Sequence, residues 1–596
     1  MCGIVGFNWI DKKLIVKMLN SLHHRGPDQS GYKFYTNLTF GHKRLSIQDL
    51  SECGKQPMEL DDYSIVFNGE IFNFIELKHE LNKRNIKFKS NTDTEVILYY
   101  YKYYGEKCLD YFNGQFSFAI YDKKKQTIFI ARDRMGIKPL YYYLDGETFI
   151  FASELKAILE FKNINKKINN YSLKHYLLFG YCPLEFSIFE NIRKLMPSHY
   201  LIYNLKSKEV MEYKKYWDNI INRDNKVNLK NNIHSHLEKS IAYRTISDRP
   251  VGVLLSGGID SSLLVCLLKN KIKNLKTFTI SFDNSNYDES QYAKLVSKKF
   301  NTMHYEKKFT SKDIIKLLPE IINQFDEPLG DNSIIPNYLV SKLASEHVTV
   351  VLSGAGGDEL FCGYKRYFHF NILKYLVKLP SFFKNLIKII IRPFNSFKYF
   401  SKLNYLLYDS DSYFKIYSKL FNLYDKRVIC NSKDFKNNLN KYFKSGSVDD
   451  AILFDQSEYL PNDLLYKEDM CCMAHSIEGR FPFLDHNFVK YINSTSLSNF
   501  SNFNKGKIIL KSILSRFMGS KFVNRKKQGF VFPLSEYIKN DLKDIFYNEI
   551  FNFNGYNYYD KKIIKTCWDE HQLNKKDYSD LFFKIFMFNN WYKNWA

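Results

Sequence analysis

The chain opens MCGIVGF, with a cysteine directly after the initiator methionine and glycines at positions 3 and 6. A methionine in front of so small a residue is normally trimmed, which would leave a thiol and a free α-amine on the same residue, Cys2. An α-amine has a reference pKa of about 7.7 to 8.0, so a useful fraction is neutral at pH 7 and can take the thiol proton without a histidine. A thiolate that attacks a carbonyl also needs donors for the oxyanion. The stretch VFNGEIFN offers two: the side-chain amide of Asn68 and the backbone N–H of Gly69, which no Cβ shields. Arg44 in GHKRLSI and Asp93 in NTDTEVI supply opposite charges suited to the two ends of an amino-acid zwitterion.

A second group of candidates lies beyond position 230. In RPVGVLLSGGIDSSLLVCLLK an apolar run through Leu254 leads into Ser256, Gly257, Gly258, Asp260 and Ser261 at the start of a helical pattern. Backbone N–H groups and hydroxyls then converge on an anion at a helix N-terminus. The lysine of a Walker A loop is missing, so this is a different phosphate cradle. VTVVLSGAGGDELFCGY repeats the strand, glycine loop and helix pattern, and offers Ser353, Gly354 and Asp358.

The elements that must position these residues fall into two kinds. SIVFNG, FSFAIYD, QTIFIARD, ETFIFAS and SHYLIYNL are short β-rich runs separated by turn signals, which predicts antiparallel sheet in the first two hundred residues. Beyond residue 230 the alternation predicts a parallel α/β sheet. A chain of 596 residues exceeds one hydrophobic core, and a polar stretch rich in Asn and Lys at 214–232 is the expected linker between domains at 2–213 and 233–596. Residues 366–450, poor in turn glycines, predict helices packed around the second domain.

Taken in order, MCGIVG, HHRGPDQSG, HKRLSI, FNGEIFN, ARDRMGIKPLYY and FASELKAI resemble the glutaminase domain of class II glutamine amidotransferases. That resemblance implies an Ntn-type αββα sandwich in which Cys2 attacks the glutamine amide. Asn68 and Gly69 would stabilise the oxyanion, and Arg44, Asn68, Gly69, Glu70 and Asp93 would hold glutamine. SGGIDSS resembles the pyrophosphate loop of ATP pyrophosphatases, which implies a parallel-sheet α/β domain with added helices. The implied ATP contacts are Leu254, Ser256, Gly257, Gly258, Asp260, Ser261, Ile280 in FTISFD, Ser353 and Gly354. Asp260 and Asp358 are then candidate Mg²⁺ ligands, since magnesium takes one or two carboxylates plus phosphate oxygens; N-capping would explain the same aspartates and is compatible with that role. MAHSIEGRFPFLDHNFVKYI and NRKKQGFVFPL complete the likeness, with Glu478, Arg480 and a phosphate-side lysine at Lys527, preferred over Lys526. With both halves present the chain resembles the glutamine-hydrolysing asparagine synthetase family over essentially its whole length.

One position departs from that pattern. The best-known members carry an acid where this loop has Ala355, so another group, Glu478 being the candidate, must manage the proton. The expected acceptor is aspartate, with a uronic acid sugar as the alternative. The formal charge of +24 comes with abundant Lys, Asn, Tyr, Phe and Ile and is spread along the chain, so nucleic acid is not an expected partner. Ten cysteines without a C-x-x-C pair argue against a disulfide scaffold or zinc site. No apolar run of roughly 18 residues or basic-apolar leader is seen, and a cytoplasmic enzyme, often a homodimer in this family, is expected. LVKLPSFFKNLIKIIIRPF at 375–393 is basic and apolar enough for an interfacial helix, but a helix in the core of the second domain is the expected reading and membrane contact is not.

Overall fold

The computed structural model describes residues 2–596 except 224–229, 284–289, 392, 394–405, 408–409, 422–437, 503–504 and 526–531. The first half runs β1 (Cys2–Phe7), β2 (Gln29–Tyr35), β3 (Leu38–Arg44), β4 (Met58–Leu60), β5 (Tyr63–Ile71) and β6 (Gly114–Asp122). It continues with β7 (Thr127–Arg132), β8 (Tyr141–Asp145), β9 (Thr148–Ala152), β10 (Ile192–Lys194), β11 (His199–Asn204) and β12 (Glu209–Lys215). These strands form two six-stranded sheets, in the orders β10-β8-β9-β1-β3-β2 and β12-β11-β7-β6-β5-β4.

Side chains alternate across a strand with a period of two, and here both faces are covered. Ile4, Val66, Ala119, Ile130 and Leu201 pack between the sheets. Their neighbours Val5 and Phe7 face outward onto Leu14, Ile15 and Met18 of the helix Lys12–Ser21. On the far side Ile65, Phe67, Phe116 and Phe118 meet the helices Phe74–Asn82 and Asp93–Tyr104. The four layers are the expected αββα sandwich.

The second half holds a five-stranded sheet of β13 (Val251–Leu254), β14 (Lys276–Phe282), β15 (Met303–Phe309), β16 (Val350–Leu352) and β17 (Glu478–Arg480). Its order is β15-β14-β13-β16-β17 and every pairing is parallel. The chain leaves β13 toward one edge and reaches the other edge through β16. The carboxyl ends of β13 and β16 therefore flank the topological switch point, where open α/β sheets keep their ligand crevice.

Charged groups without solvent hold the halves together. Arg25, fully buried, donates from Nη1 to Glu154 Oε1 over 2.6 Å and from Nη2 to Asp469 Oδ2 over 2.9 Å. Lys138 Nζ lies 3.6 Å from the other Asp469 oxygen. Glu327 takes Lys194 at 2.7 Å and the Tyr141 hydroxyl at 3.1 Å. The C-terminal helix Ser579–Trp595 clamps both halves, accepting from Tyr176 at the Lys584 carbonyl and donating from Trp591 Nε1 to Asp326 O, each over 2.7 Å.

Within the stretch expected to link the domains, Arg223 donates to the carbonyls of Ile492 and Thr495 at 2.9 Å and pairs with Asp449 at 2.7 Å. That end is pinned to the second half. Of the helices expected at 366–450, Lys365–Leu373 packs through Tyr367 and Phe370 against Phe414, Tyr417 and Phe454. Ser381–Ile391 does not pack as a core helix, because only Ile391 of it is buried. Among the described residues no helix is long and apolar enough to cross a membrane.

Candidate active sites

Cys2 starts β1 opposite Arg44 on β3. Its backbone N donates to Asn68 Oδ1 over 3.0 Å, and its carbonyl accepts from Arg25 Nε over 3.1 Å. Burial pushes the thiol pKa up, and the Leu45 N–H and Arg44 oppose that shift. A protonated thiol at rest needs a base within reach, which is the role an α-amine on the same residue can fill.

Asn68 sits on β5 opposite Ser117, and its Nδ2 contacts Ser117 Oγ at 3.4 Å. Gly69 has φ +144°, and a Cβ there would lie 2.1 Å from the Gln115 carbonyl oxygen. Only glycine lets the β5 backbone run this close to β6. Arg44 is firmly held: Nη1 donates to Gln29 Oε1 (2.8 Å) and Ser51 O (2.9 Å), and Nη2 to Gln48 O (3.2 Å) and Asp49 O (2.5 Å).

Acids gather on the other side of the pocket. Asp93, in the first turn of its helix, accepts from Ile71 N over 2.7 Å, and burial with the Glu478 charge pushes it up to about 7. Glu70 is likewise raised by burial and by Asp93 and Glu478, against the pull of Arg480. Arg480 Nη2 lies 3.7 Å from Glu70 Oε1, and its Nε donates to Glu478 Oε1 over 2.5 Å. Burial raises Glu478, but Arg480 foremost, with Lys138, opposes it, and the carboxyl is held at about 2. Carboxylates thus outnumber the guanidinium at this spot, a charge balance that favours an incoming ammonium.

Glu478 and Arg480 come from β17, in the second half. The Gln115 side chain donates to Gly479 O over 3.1 Å, joining β17 to the strand beside Gly69. Glu478, the sequence's candidate for acceptor chemistry, accepts from Arg480 Nε, and its charge acts on Glu70 and Asp93.

The second site forms where β13 and β16 end. Gly257 has φ +76°, and a Cβ there would stand 2.8 Å from Ala293 N. Gly258 N donates to Ser256 Oγ at 3.2 Å, and Ser256 Oγ meets Ser261 Oγ at 3.1 Å, so the loop is closed on itself at the start of the helix Ile259–Leu268. The two glycine loops touch around Asp260: a Cβ on Gly354 would come 2.9 Å from Asp260 Cβ, and one on Gly357 2.6 Å from its Cγ. Leu254 ends β13, while Ile280 and Ser353 are buried at the C-terminal ends of β14 and β16.

Sequence reasoning missed Lys507. Its Nζ pairs with Asp260 and, at 2.6 Å, with Asp358 Oδ1, and both carboxylates raise its pKa against the cost of burial. Lys507 has φ +57° just before the helix Ile508–Met518, so the preceding glycine in NKGKIILK was the only visible signal. A cation already bridges the two candidate metal ligands, which shows that these loops present paired carboxylates to one positive charge. Among the described residues no group of three or more His, Cys, Asp or Glu is placed to hold a metal ion. Lys526 and Lys527 lie outside the described residues. Arg525 donates to Gly257 O and stacks 4.0 Å from the Tyr292 ring.

Ala355 N donates to Ser353 Oγ over 3.3 Å, and its methyl packs with the second core. Two acids adjoin this loop, Glu359 buried and Glu468 half-buried. Glu468 bonds Ser353, while burial and Asp358 push Glu359, which accepts from Tyr364 Oη at 2.5 Å, up to about 7.

The chain matches the asparagine synthase family over residues 232–593 and the glutamine amidotransferase domain over residues 1–217. It is 31% identical over 618 aligned residues to glutamine-hydrolysing asparagine synthetase 1 of Bacillus subtilis, covering 99% of this chain and 96% of that one. With asparagine synthetase 3 of the same organism the identity is 29%, over 89% of this chain and 87% of that one. This similarity along the whole length leads to one statement: the chain belongs to the asparagine synthase family and carries a glutamine amidotransferase domain at its N-terminal end.

Proposed function

We propose that the protein is a glutamine-hydrolysing asparagine synthetase, converting ATP, aspartate, glutamine and water to AMP, pyrophosphate, asparagine and glutamate. The observation that carries this reading is the presence, in one chain, of the Cys2–Asn68–Gly69 pocket and the Ser256–Ser261 cradle, joined by β17. The α-amine of trimmed Cys2 takes the thiol proton, and sulfur attacks the glutamine amide carbon. Asn68 Nδ2 and the Gly69 N–H receive the oxyanion. Collapse expels ammonia, and water hydrolyses the thioester to glutamate. Asp93 and Glu70 suit the substrate ammonium, and Arg44 its carboxylate.

In the second site Ser256, Gly257, Gly258, Ser261, Ser353 and Gly354 bind the nucleotide, with Leu254 and Ile280 lining the strand side. The aspartate side-chain carboxylate attacks the α-phosphorus of ATP, pyrophosphate leaves, and ammonia displaces AMP from the adenylate. Mg²⁺ at Asp260 and Asp358 would neutralise phosphate charge, and Lys507 and Lys527 are the lysines assigned to the departing pyrophosphate. The enzyme is proposed to work in the cytoplasm, as a homodimer. A uronic acid acceptor is not favoured, since the relatives matching over most of the chain carry asparagine synthetase names.

The test is pyrophosphate release with ATP, Mg²⁺ and ammonium, run with aspartate and with uronates, the amide product being identified by mass. Aspartate-dependent release and asparagine are expected; no release at saturating aspartate, from protein that still hydrolyses glutamine, overturns the assignment.

A further inference from the structure

The helix Ser381–Ile391 turns its apolar side away from the protein. Phe382, Phe383, Leu386, Ile389 and Ile390 are between 43% and 70% exposed. They follow the spacing i, i+1, i+4, i+7, i+8, which at about 100° per residue gathers them into one arc of about 120°. The opposite face anchors the helix: Ile391 is buried, Ile387 and Lys388 are half-buried, and Lys384 Nζ donates to Ser410 O over 2.8 Å. The contacts beneath therefore fix the rotation that presents aromatic and branched side chains to water. A contiguous apolar patch held outward marks an interaction surface.

Charge identifies its partner. Among the described residues from Leu360 to Ile391 the chain carries six Lys or Arg and neither Asp nor Glu. Arg366 pairs with Asp455 and Lys384 is held by Ser410 O, while Lys365 and Lys378 are exposed and Lys374 and Lys388 half-buried. Tyr375 is 63% exposed, and the adjoining Lys378 is exposed as well. A two-fold contact between copies would set this cationic segment against itself, with no carboxylate of its own to offset the repulsion. Nucleic acid would answer the charge and leave the Phe and Ile side chains in water. An anionic bilayer surface answers both, with phosphate headgroups for exposed lysines such as Lys378 and the acyl boundary for the arc.

We propose that the helix Ser381–Ile391 docks this enzyme reversibly on anionic membranes, lying in the interface with Phe382, Phe383, Leu386, Ile389 and Ile390 in the acyl boundary. Eleven residues extend about 16 Å, so the helix lies on the bilayer and does not span it.

The test is flotation of the full chain with phosphatidylcholine vesicles, with or without phosphatidylglycerol, at low and high salt. The wild type is expected to float with the phosphatidylglycerol vesicles at low salt and to stay behind with neutral ones. The double substitution Phe382→Glu with Ile389→Glu is expected to cut binding by about tenfold or more, with pyrophosphate release unchanged as proof of folding. Lys378→Glu, which leaves the arc intact, is expected to weaken binding at low salt only, and carries the test if the double variant fails to fold. Three results overturn the proposal: wild-type protein that ignores anionic vesicles, variants that float as well as wild type, or self-association that the double substitution abolishes while flotation is absent.

Discussion

The backbone N–H of Ser353 donates to the carbonyl of Arg480 over 2.9 Å. Ser353 opens the nucleotide-side loop, while the Arg480 guanidinium lies 3.7 Å from Glu70 in the glutamine pocket. One residue of β17 thus touches both centres. Glu478→Gln keeps the shape of this strand and removes one charge facing Asp93 and Glu70. It is expected to raise KM for glutamine about tenfold, on the scale of a charge-assisted hydrogen bond, with ammonium-dependent synthesis nearly unchanged. Equal losses with both nitrogen sources would show that the strand is needed only for folding.

Cys2→Ala removes the nucleophile while Asn68 and Gly69 remain. Glutamine hydrolysis is expected to vanish and asparagine synthesis from ammonium salts to persist, measured by glutamate and asparagine release. Residual glutamine-dependent turnover would reassign the nucleophile.

Gly69→Ala places a methyl against the Gln115 carbonyl at a φ that L-residues rarely adopt. A cost of about 1 to 3 kcal/mol is expected from backbone strain alone, read as a lower Tm. Glutaminase activity should fall further than pyrophosphate release. An unchanged Tm would mean that β5 and β6 can separate without penalty.

Asp93 is raised to about 7, first by burial and then by the Glu478 charge. An ammonium is held by the ionised carboxylate, so kcat/KM for glutamine is expected to climb as pH rises through about 7 and to fall as pH drops below it. Asp93→Asn should flatten that limb and weaken glutamine binding at every pH. A profile with the same limb in the Asn variant would place the titration elsewhere.

Lys507→Ala leaves Asp260 and Asp358 facing each other without their ammonium. Pyrophosphate formation is expected to drop by about 10² to 10³, the usual loss of one charge-stabilising donor, while Cys2 continues to hydrolyse glutamine. A variant with normal ATP cleavage would remove Lys507 from the site.

The parts legible in the sequence are those whose chemistry is local. Asn68 next to Gly69, and Ser256 to Ser261 between a strand and a helix, carry their geometry in a few adjacent residues: the first pair lies within β5, and the second loop closes on itself through Ser256 and Ser261. Lys507 was hidden because its meaning lies in two aspartates about 250 and 150 residues away, in a chain with 87 Lys and Arg. Arg480 was noticed without a place, since nothing in GRFPF says that β17 lies against β6. The helix Ser381–Ile391 was expected in a core although its basic and apolar composition also suits an interface; hydrophobic periodicity fixes which residues share a face and leaves open what that face meets.

The buried Arg25, between Glu154 of the first half and Asp469 of the second, governs how the protein comes apart. Pulling the halves away from each other would strand its guanidinium or one of its carboxylates in a dry setting, at a cost of about 3 to 5 kcal/mol for each broken pair. Heating should therefore yield one cooperative transition, with both activities lost at the same temperature. A proteolytic fragment ending near residue 217 should expose a surface suited only to its missing half and precipitate unless that half is supplied in trans.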